Sequence, residues 1–253
     1  MSVSDFNPLE KRYTGKSPKA DTQQHKAETH ELVNTLYGID RMSENRPLPP
    51  VLPGFEHVNR YWDKLMNVPA AKIMPGEFYV SKTGEMIVTV LGSCISACIR
   101  DKHLGIGGMN HFMLPMQTEH SSEKWGAAVS SASRYGNWAM EFLINEILKL
   151  GGTRRNLEIK VFGGANVLSN MTDIGERNIA YVKKYIYEEN FEMAASDLGD
   201  IYPRKVLYFP DTGAVKVRKL KQIQNDTILQ REINYSRNLN DKPSASGSVE
   251  LFD

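Results

Sequence analysis

Residues 85–115 read EMIVTVLGSCISACIRDKHLGIGGMNHFMLP, a stretch that holds both cysteines, a well-placed histidine and four of the nineteen glycines. Residues 86–91 are apolar and β-branched, which predicts a buried strand rather than a helix at this length, and Gly92-Ser93 interrupts it. Residues 95–100 form a second apolar run. The segment Asp101-Lys102-His103-Leu104-Gly105 has the polar and glycine content of a turn, and residues 106–114 return as a third strand with a weak point at Gly107-Gly108.

If the second and third strands form a hairpin about that turn, the register follows. Positions 94 and 111 average to 102.5, the middle of the Asp101–Leu104 turn, so a regular hairpin places Cys94 opposite His111. Opposed Cβ atoms lie roughly 4.5–5.5 Å apart, close enough for a thiol to meet an imidazole. A bulge at Gly107-Gly108 would shift the register by one residue and turn the histidine to the other face.

A cysteine facing a histidine has a defined chemistry. The thiolate is the nucleophile, a free thiol with a pKa of about 8.5 is only slightly ionised at neutral pH, and a neighbouring imidazole takes the proton. Such a pair performs acyl transfer on amides, esters or thioesters. Free cysteine is also among the most buried residue types, and a lone histidine is commonly a satisfied polar group, so the residues alone leave both readings open. A disulfide or shared zinc is excluded on a strand, because Cys94 and Cys98 are four residues, roughly 13 Å, apart. Cys98 is read as core and Cys94, beside Gly92-Ser93, as the candidate nucleophile.

The composition narrows the class. The chain has 253 residues, is 41% hydrophobic, and balances 31 basic against 30 acidic residues, leaving no electrostatic footprint for nucleic acid or an anionic membrane. No apolar run approaches the roughly 18 residues of a membrane helix, and MSVSDFNPLEKRY lacks a signal-peptide core, so membrane insertion is not expected. Two cysteines with a thiol nucleophile point to the cytoplasm.

Three regions are expected. Residues 1–54 form a polar, flexible extension ending in the proline-rich joint RPLPPVLPG, apart from a short helix near residues 31–37; its His25 and His30 are read as solvated. Residues 55–221 form the folded domain, and residues 222–253 a polar, disordered tail. Within the domain, residues 55–66 predict a short amphipathic helix and residues 71–80 a strand broken at Pro75-Gly76. Residues 116–124 predict a polar flap or surface loop that exposes His120. Tyr135, Trp138, Ala139, Phe142, Leu143, Ile147 and Leu150 form a helical stripe stopped by Gly151-Gly152. Residues 157–162 read as a strand ending in Gly163-Gly164, a pair that either makes a tight turn or offers N–H groups to an oxyanion. Asp173 caps a helix carrying Ile179, Val182 and Ile186, and Pro210–Gly213 joins a final hairpin. Strands, hairpins and interspersed helices without regular βαβ alternation predict a layered α+β domain.

Taken together, LGSC at 91–94, GGMNHFMLP at 107–115, KVFGGANVL at 160–168, IGERN at 174–178 and PRKVLYFPDTGAVKVRKL at 203–220 resemble the CheD family, chemoreceptor glutamine deamidases of bacterial chemotaxis. The resemblance spans roughly residues 70–220. It implies a layered α/β fold related to the deamidating domain of cytotoxic necrotising factor toxins. It also implies a cysteine hydrolase that converts receptor glutamines to glutamate, with Cys94 as nucleophile, His111 as general base and Thr89 as the residue orienting the imidazole. Ser93, Gly163 and Gly164 are the expected substrate-binding positions, and backbone N–H groups of Cys94 or of the Gly163-Gly164 loop the expected oxyanion donors. No metal or cofactor is required by this chemistry. The implied partners are the cytoplasmic helices of chemoreceptors and a CheC-type chemotaxis phosphatase. Two alternatives remain: an adaptor for that phosphatase with little catalysis, and transglutamination, in which an amine resolves the thioester.

Overall fold

The computed structural model describes residues 46–115, 125–167, 174–221 and 226–241. The strands in these residues are β1 (Asn59–Asp63), β2 (Val68–Lys72), β3 (Phe78–Ser81), β4 (Met86–Leu91), β5 (Ile95–Asp101), β6 (Gly107–Asn110), β7 (Leu157–Gly163), β8 (Met193–Leu198), β9 (Arg204–Phe209) and β10 (Ala214–Lys219). The helices are α1 (Trp125–Lys149), α2 (Ile174–Glu188) and α3 (Asp226–Asp241). One sheet runs β1-β2-β4-β9-β10 and the other β3-β6-β5-β7-β8. Only β2/β4 and β7/β8 are parallel pairs. This is the α+β arrangement of mixed sheets and helices that the hairpin-rich sequence predicts.

Alternation along β4 builds the layers. Ile87 and Leu91 join Val206 and Tyr208 of β9 in a core shared with Ile95, Ala97 and Ile99 of β5. Met86 and Val88, on the other face, make a smaller cluster with Ala70 under Tyr61, Leu207 and Phe209. Thr89 falls by the same alternation on the inner face, buried between the sheets. Helix α1 seats Met140, Leu143, Ile144 and Ile147 in this core against β3, β5 and β6, and each such side chain contributes roughly 1.5–3 kcal/mol of burial. Gly108 permits the approach: a Cβ there would stand 2.6 Å from Leu143 Cδ1.

Several local expectations change. Residues 55–66 do not form a helix. Tyr61 and Trp62 lie in β1, and the Asp63 carboxylate accepts the N–H groups of Leu65 and Met66 to turn the chain back into β2. Residues 71–80 divide between the two sheets, as β2 and β3. Trp138 and Phe142 of the predicted α1 stripe face outward, because Met140 and Ile144 occupy the buried face instead. Strand β8, with no buried residue, carries no apolar alternation and escapes sequence reading. Val51 and Leu52 of the proline-rich joint, expected to belong to the extension, pack on the core. The largest correction is α3, which lies inside the segment expected to be a disordered tail. The flap at 116–124, Asp173, and the helix, His25 and His30 expected within residues 1–45 lie outside the described residues.

The central hairpin also differs in register. Cys98 pairs with Met109 and Arg100 with Gly107, centring the turn one residue later than expected. The cause is Asp101, whose Oδ1 accepts the N–H groups of His103 (2.9 Å) and Leu104 (3.1 Å) while Gly105 adopts φ +66°. Ile95 consequently bridges to Phe112, and Cys94 lies diagonal to His111 rather than opposite it. A two-residue slip preserves the alternation of faces.

Candidate active site

The chain leaves the first sheet at Leu91 and enters the second at Ile95, so Gly92, Ser93 and Cys94 have no strand partners of their own. Their polar groups must be satisfied elsewhere. All three carbonyls are held from one side: Gly92 O accepts Ala165 N–H (2.8 Å), Cys94 O accepts Gly164 N–H (2.8 Å), and Ser93 O accepts Asn178 Nδ2 (2.9 Å). All three N–H groups converge on a single carboxylate, that of Glu232 in α3. Gly92 N donates to Oε1 at 2.9 Å and Cys94 N to the same oxygen at 3.3 Å. Ser93 donates to Oε2 through its N–H (2.9 Å) and its Oγ (2.7 Å). Successive N–H groups aimed at one point form a nest for an anion or a developing oxyanion. Gly92 is fitted to that occupant, because a Cβ there would lie 2.7 Å from both carboxylate oxygens.

His111 is placed from the neighbouring strands. Its N–H donates to Glu77 O (2.9 Å) and its carbonyl accepts Gly76 N–H (2.7 Å). Asn110 beside it is pinned by Ala97 N–H on Oδ1 (2.8 Å) and by its own Nδ2 on Ala139 O (2.9 Å). The imidazole Nδ1 lies 2.8 Å from Thr89 Oγ1, which lies 3.0 Å from Ile73 O. A carbonyl only accepts, so the single Thr89 hydroxyl proton goes to Ile73 and Thr89 Oγ1 accepts from Nδ1–H. That assigns the proton to Nδ1 and leaves a lone pair on Nε2, the state a general base requires. Nε2 is buried and has no hydrogen-bond partner among the described residues.

The electrostatics describe a resting site. Burial first, and the Glu232 carboxylate second, push the Cys94 thiol well above its ordinary pKa. Burial, and then the Arg231 guanidinium of α3, lower His111 to about 3. Both groups are therefore neutral, and neither is accessible: Cys94 is 0% and His111 2% exposed. Cys98, in β5, is equally buried, and burial raises its pKa too, opposed in part by the ammonium of Lys160, its cross-strand partner on β7. It is a core residue, as the sequence implies.

Of the expected residues, Thr89 and His111 meet directly, and Ser93 and Cys94 line the nest. Gly163 and Gly164 do not face it. The Gly164 N–H is already spent on Cys94 O, and a Cβ on Gly163 would stand 2.1 Å from that oxygen. With φ of +116° and +68°, the pair allows the backbone to pass close behind the nucleophile, so these glycines buttress Cys94 rather than hold an oxyanion. Sequence reasoning missed Asn178 and Glu232. Asn178 was detectable as an amide within the apolar face Ile174, Val182 and Ile186 of α2. Glu232 was detectable as a carboxylate within the stripe Ile228, Tyr235 and Leu239.

A family model described as CheD chemotactic sensory transduction matches residues 113–219, beginning just after His111. A protein of Halorhodospira halophila named probable chemoreceptor glutamine deamidase CheD is 52% identical over 205 residues, 81% of this chain and 94% of that protein. Proteins of the same name from Methylobacillus flagellatus and Saccharophagus degradans are 55% identical over 196 residues (77% of this chain, 95% of theirs) and 49% identical over 219 residues (86% and 100%). Among the described residues, no helix is long and apolar enough to cross a membrane.

Proposed function

The chain belongs to the CheD family, and from that premise we propose that it is a protein-glutamine deamidase acting on chemoreceptor helices in the cytoplasm, through Cys94, His111 and Thr89. The observation that carries this reading is an N–H nest at Cys94 and, beside the Ile95–Phe112 bridge, a buried imidazole whose Nε2 makes no hydrogen bond to the Cys94 thiol or to any other described residue. His111 Nε2 takes the Cys94 proton, and the thiolate attacks the side-chain amide carbon of glutamine. The carbonyl oxygen, now an oxyanion, is held by the N–H groups of the 92–94 loop. The tetrahedral adduct collapses with cleavage of the C–N bond, and His111 returns the proton so that ammonia leaves. Water, deprotonated by the same imidazole, hydrolyses the thioester to glutamate and restores the thiol. Thr89 keeps the imidazole in the required tautomer throughout.

Mass spectrometry of a receptor cytoplasmic fragment, incubated with wild type and with Cys94→Ala, tests the assignment. Conversion of defined glutamines by wild type alone supports it, whereas conversion by both proteins or by neither removes Cys94 from the reaction. Release of ammonia without an added amine separates hydrolysis from transglutamination. One observation favours a second reading, namely that the thiol is fully covered. In that reading the protein is chiefly an adaptor for a CheC-type phosphatase, and Cys94→Ala leaves partner binding and chemotaxis unchanged.

A further inference from the structure

Glu232 is a glutamate side chain presented by a helix, with its carboxylate on the N–H groups of the nucleophile loop and against the Cys94 thiol. The product of the reaction proposed above is also a glutamate side chain presented by a helix. We propose that α3 is a built-in product mimic: Glu232 occupies the pocket that receives the reacting side chain, and α3 must leave before a receptor helix docks in the same groove. This rests on the deamidase reading and adds to it the form of the substrate and the regulation of the site.

The pocket is complementary to a carboxylate in detail. Four donors face two acceptor oxygens, and the Cβ-free position 92 provides the space. A carboxamide in the same pose would turn its NH2 toward backbone donors, so the arrangement favours glutamate over glutamine at position 232. Among the described residues Glu232 has no ion pair, and its partners are groups that the nucleophile loop presents whether α3 is there or not.

The rest of α3 is seated as a docked segment. Ile228, Glu232, Tyr235 and Ser236 share one face, with Ile228, Glu232 and Ser236 buried and Tyr235 packed on the core. The Tyr235 ring crosses Gly76, where a Cβ would stand 3.0 Å away, and its hydroxyl bonds that of Tyr135. An incoming receptor helix would use these same seats on either side of its reacting residue. Outward from His111, a small pocket bounded by Gly76, Phe78, Tyr135 and half-exposed Trp138 continues this groove.

The test uses the full-length protein and two readouts. The first is the rate of Cys94 alkylation by iodoacetamide, followed by peptide mass spectrometry, with the core residue Cys98 as an internal control for folding. The second is glutamine conversion in a receptor fragment. Glu232→Ala, Glu232→Gln and Ile228→Asp are each expected to raise Cys94 alkylation at least tenfold while Cys98 stays protected, and to lower KM for the fragment. Ile228→Asp leaves the carboxylate in place, so its agreement with Glu232→Ala excludes a merely local role for Glu232 in shaping the loop. Unchanged alkylation in all three variants overturns the inference. So does an active wild type that loses conversion in Glu232→Ala, which would make Glu232 part of the loop's own structure. If alkylation rises as expected while no protein, wild type included, converts glutamine, the cover stands and the deamidase reading fails.

Discussion

Among the described residues two glutamates are buried, and they are held in opposite ways. Glu85, 1% exposed at the start of β4, accepts Arg60 Nη2 at 2.6 Å, Arg60 Nε at 2.8 Å and the Tyr79 hydroxyl at 2.7 Å. Arg60 stands on β1 and Tyr79 on β3, so this carboxylate ties the two sheets together through a permanent counter-ion. Glu232, 2% exposed, is held by backbone N–H groups and one hydroxyl of a loop that was shaped by other contacts. A carboxylate with a dedicated cation is part of the scaffold, because removing it strands a buried charge. A carboxylate held by a pre-formed nest is an occupant.

The sharpest way to break this comparison is chemical. If the nest is the reacting pocket, Cys94→Ala abolishes glutamine conversion, and His111→Ala lowers it by about 10²- to 10⁴-fold, the usual contribution of a positioned acid–base. Both effects should appear in steady-state ammonia release, with urea unfolding close to wild type for Cys94→Ala. A His111→Ala protein with undiminished kcat would detach the nest from the chemistry.

Stability separates the two glutamates directly. Removing one partner of a buried ion pair typically costs about 3–5 kcal/mol, so Glu85→Ala is expected to lose that much in urea unfolding while Cys94 stays slow to alkylate. Glu232→Ala should show the inverse: rapid alkylation and a smaller loss of about 1.4 kcal/mol, the free-energy equivalent of a tenfold rise in opening, because release of α3 returns the nest to water. Equal losses in both variants would make Glu232 a scaffold residue as well.

Acid provides a graded test. His111 is lowered from 6.5 to about 3 in the folded protein, so the unfolded chain binds the proton first as pH falls. The stabilisation from keeping the imidazole neutral is fully present above about pH 6.5 and disappears as pH drops toward about 3, on the order of 5 kcal/mol in total. Urea unfolding across that window should show the decline in wild type and a shallower one in Glu232→Ala, where water reaches the ring and Arg231 moves away. A slope that Glu232→Ala leaves unaltered would mean α3 contributes nothing to the burial of His111.

These contrasts also mark what the sequence made legible. β4, β7, α2 and the β9–β10 hairpin follow from apolar runs bounded by glycine, proline and capping residues, which are local signals. The family motifs pointed to Cys94, His111 and Thr89, and alternation along β4 places Thr89 inside. The hairpin register failed by two residues because the side chain of Asp101 lengthened the turn, a choice composition does not fix. The nest was invisible because its walls come from residues 92–94, 164–165 and 178, and its occupant lies 138 residues beyond Cys94. Polar composition then read α3 as a tail: helices stabilised mainly by docking one face carry only a narrow apolar stripe.

The smallest effect concerns how firmly the occupant is seated. Tyr235→Phe keeps the ring over Gly76 and removes only the hydroxyl that meets Tyr135. A neutral hydrogen bond of this kind contributes about 0.5–1.5 kcal/mol, so opening of α3 should become roughly two- to tenfold more frequent. Cys94 alkylation should rise by the same factor when opening precedes reaction, and unfolding of the two-sheet core should barely change. Tyr135→Phe should match it, and the double variant should add little, since either change removes the whole bond. If instead the two single effects add, the tyrosines act separately, and the hold on α3 comes from the Glu232 carboxylate and the Ile228 contact without help from this pair.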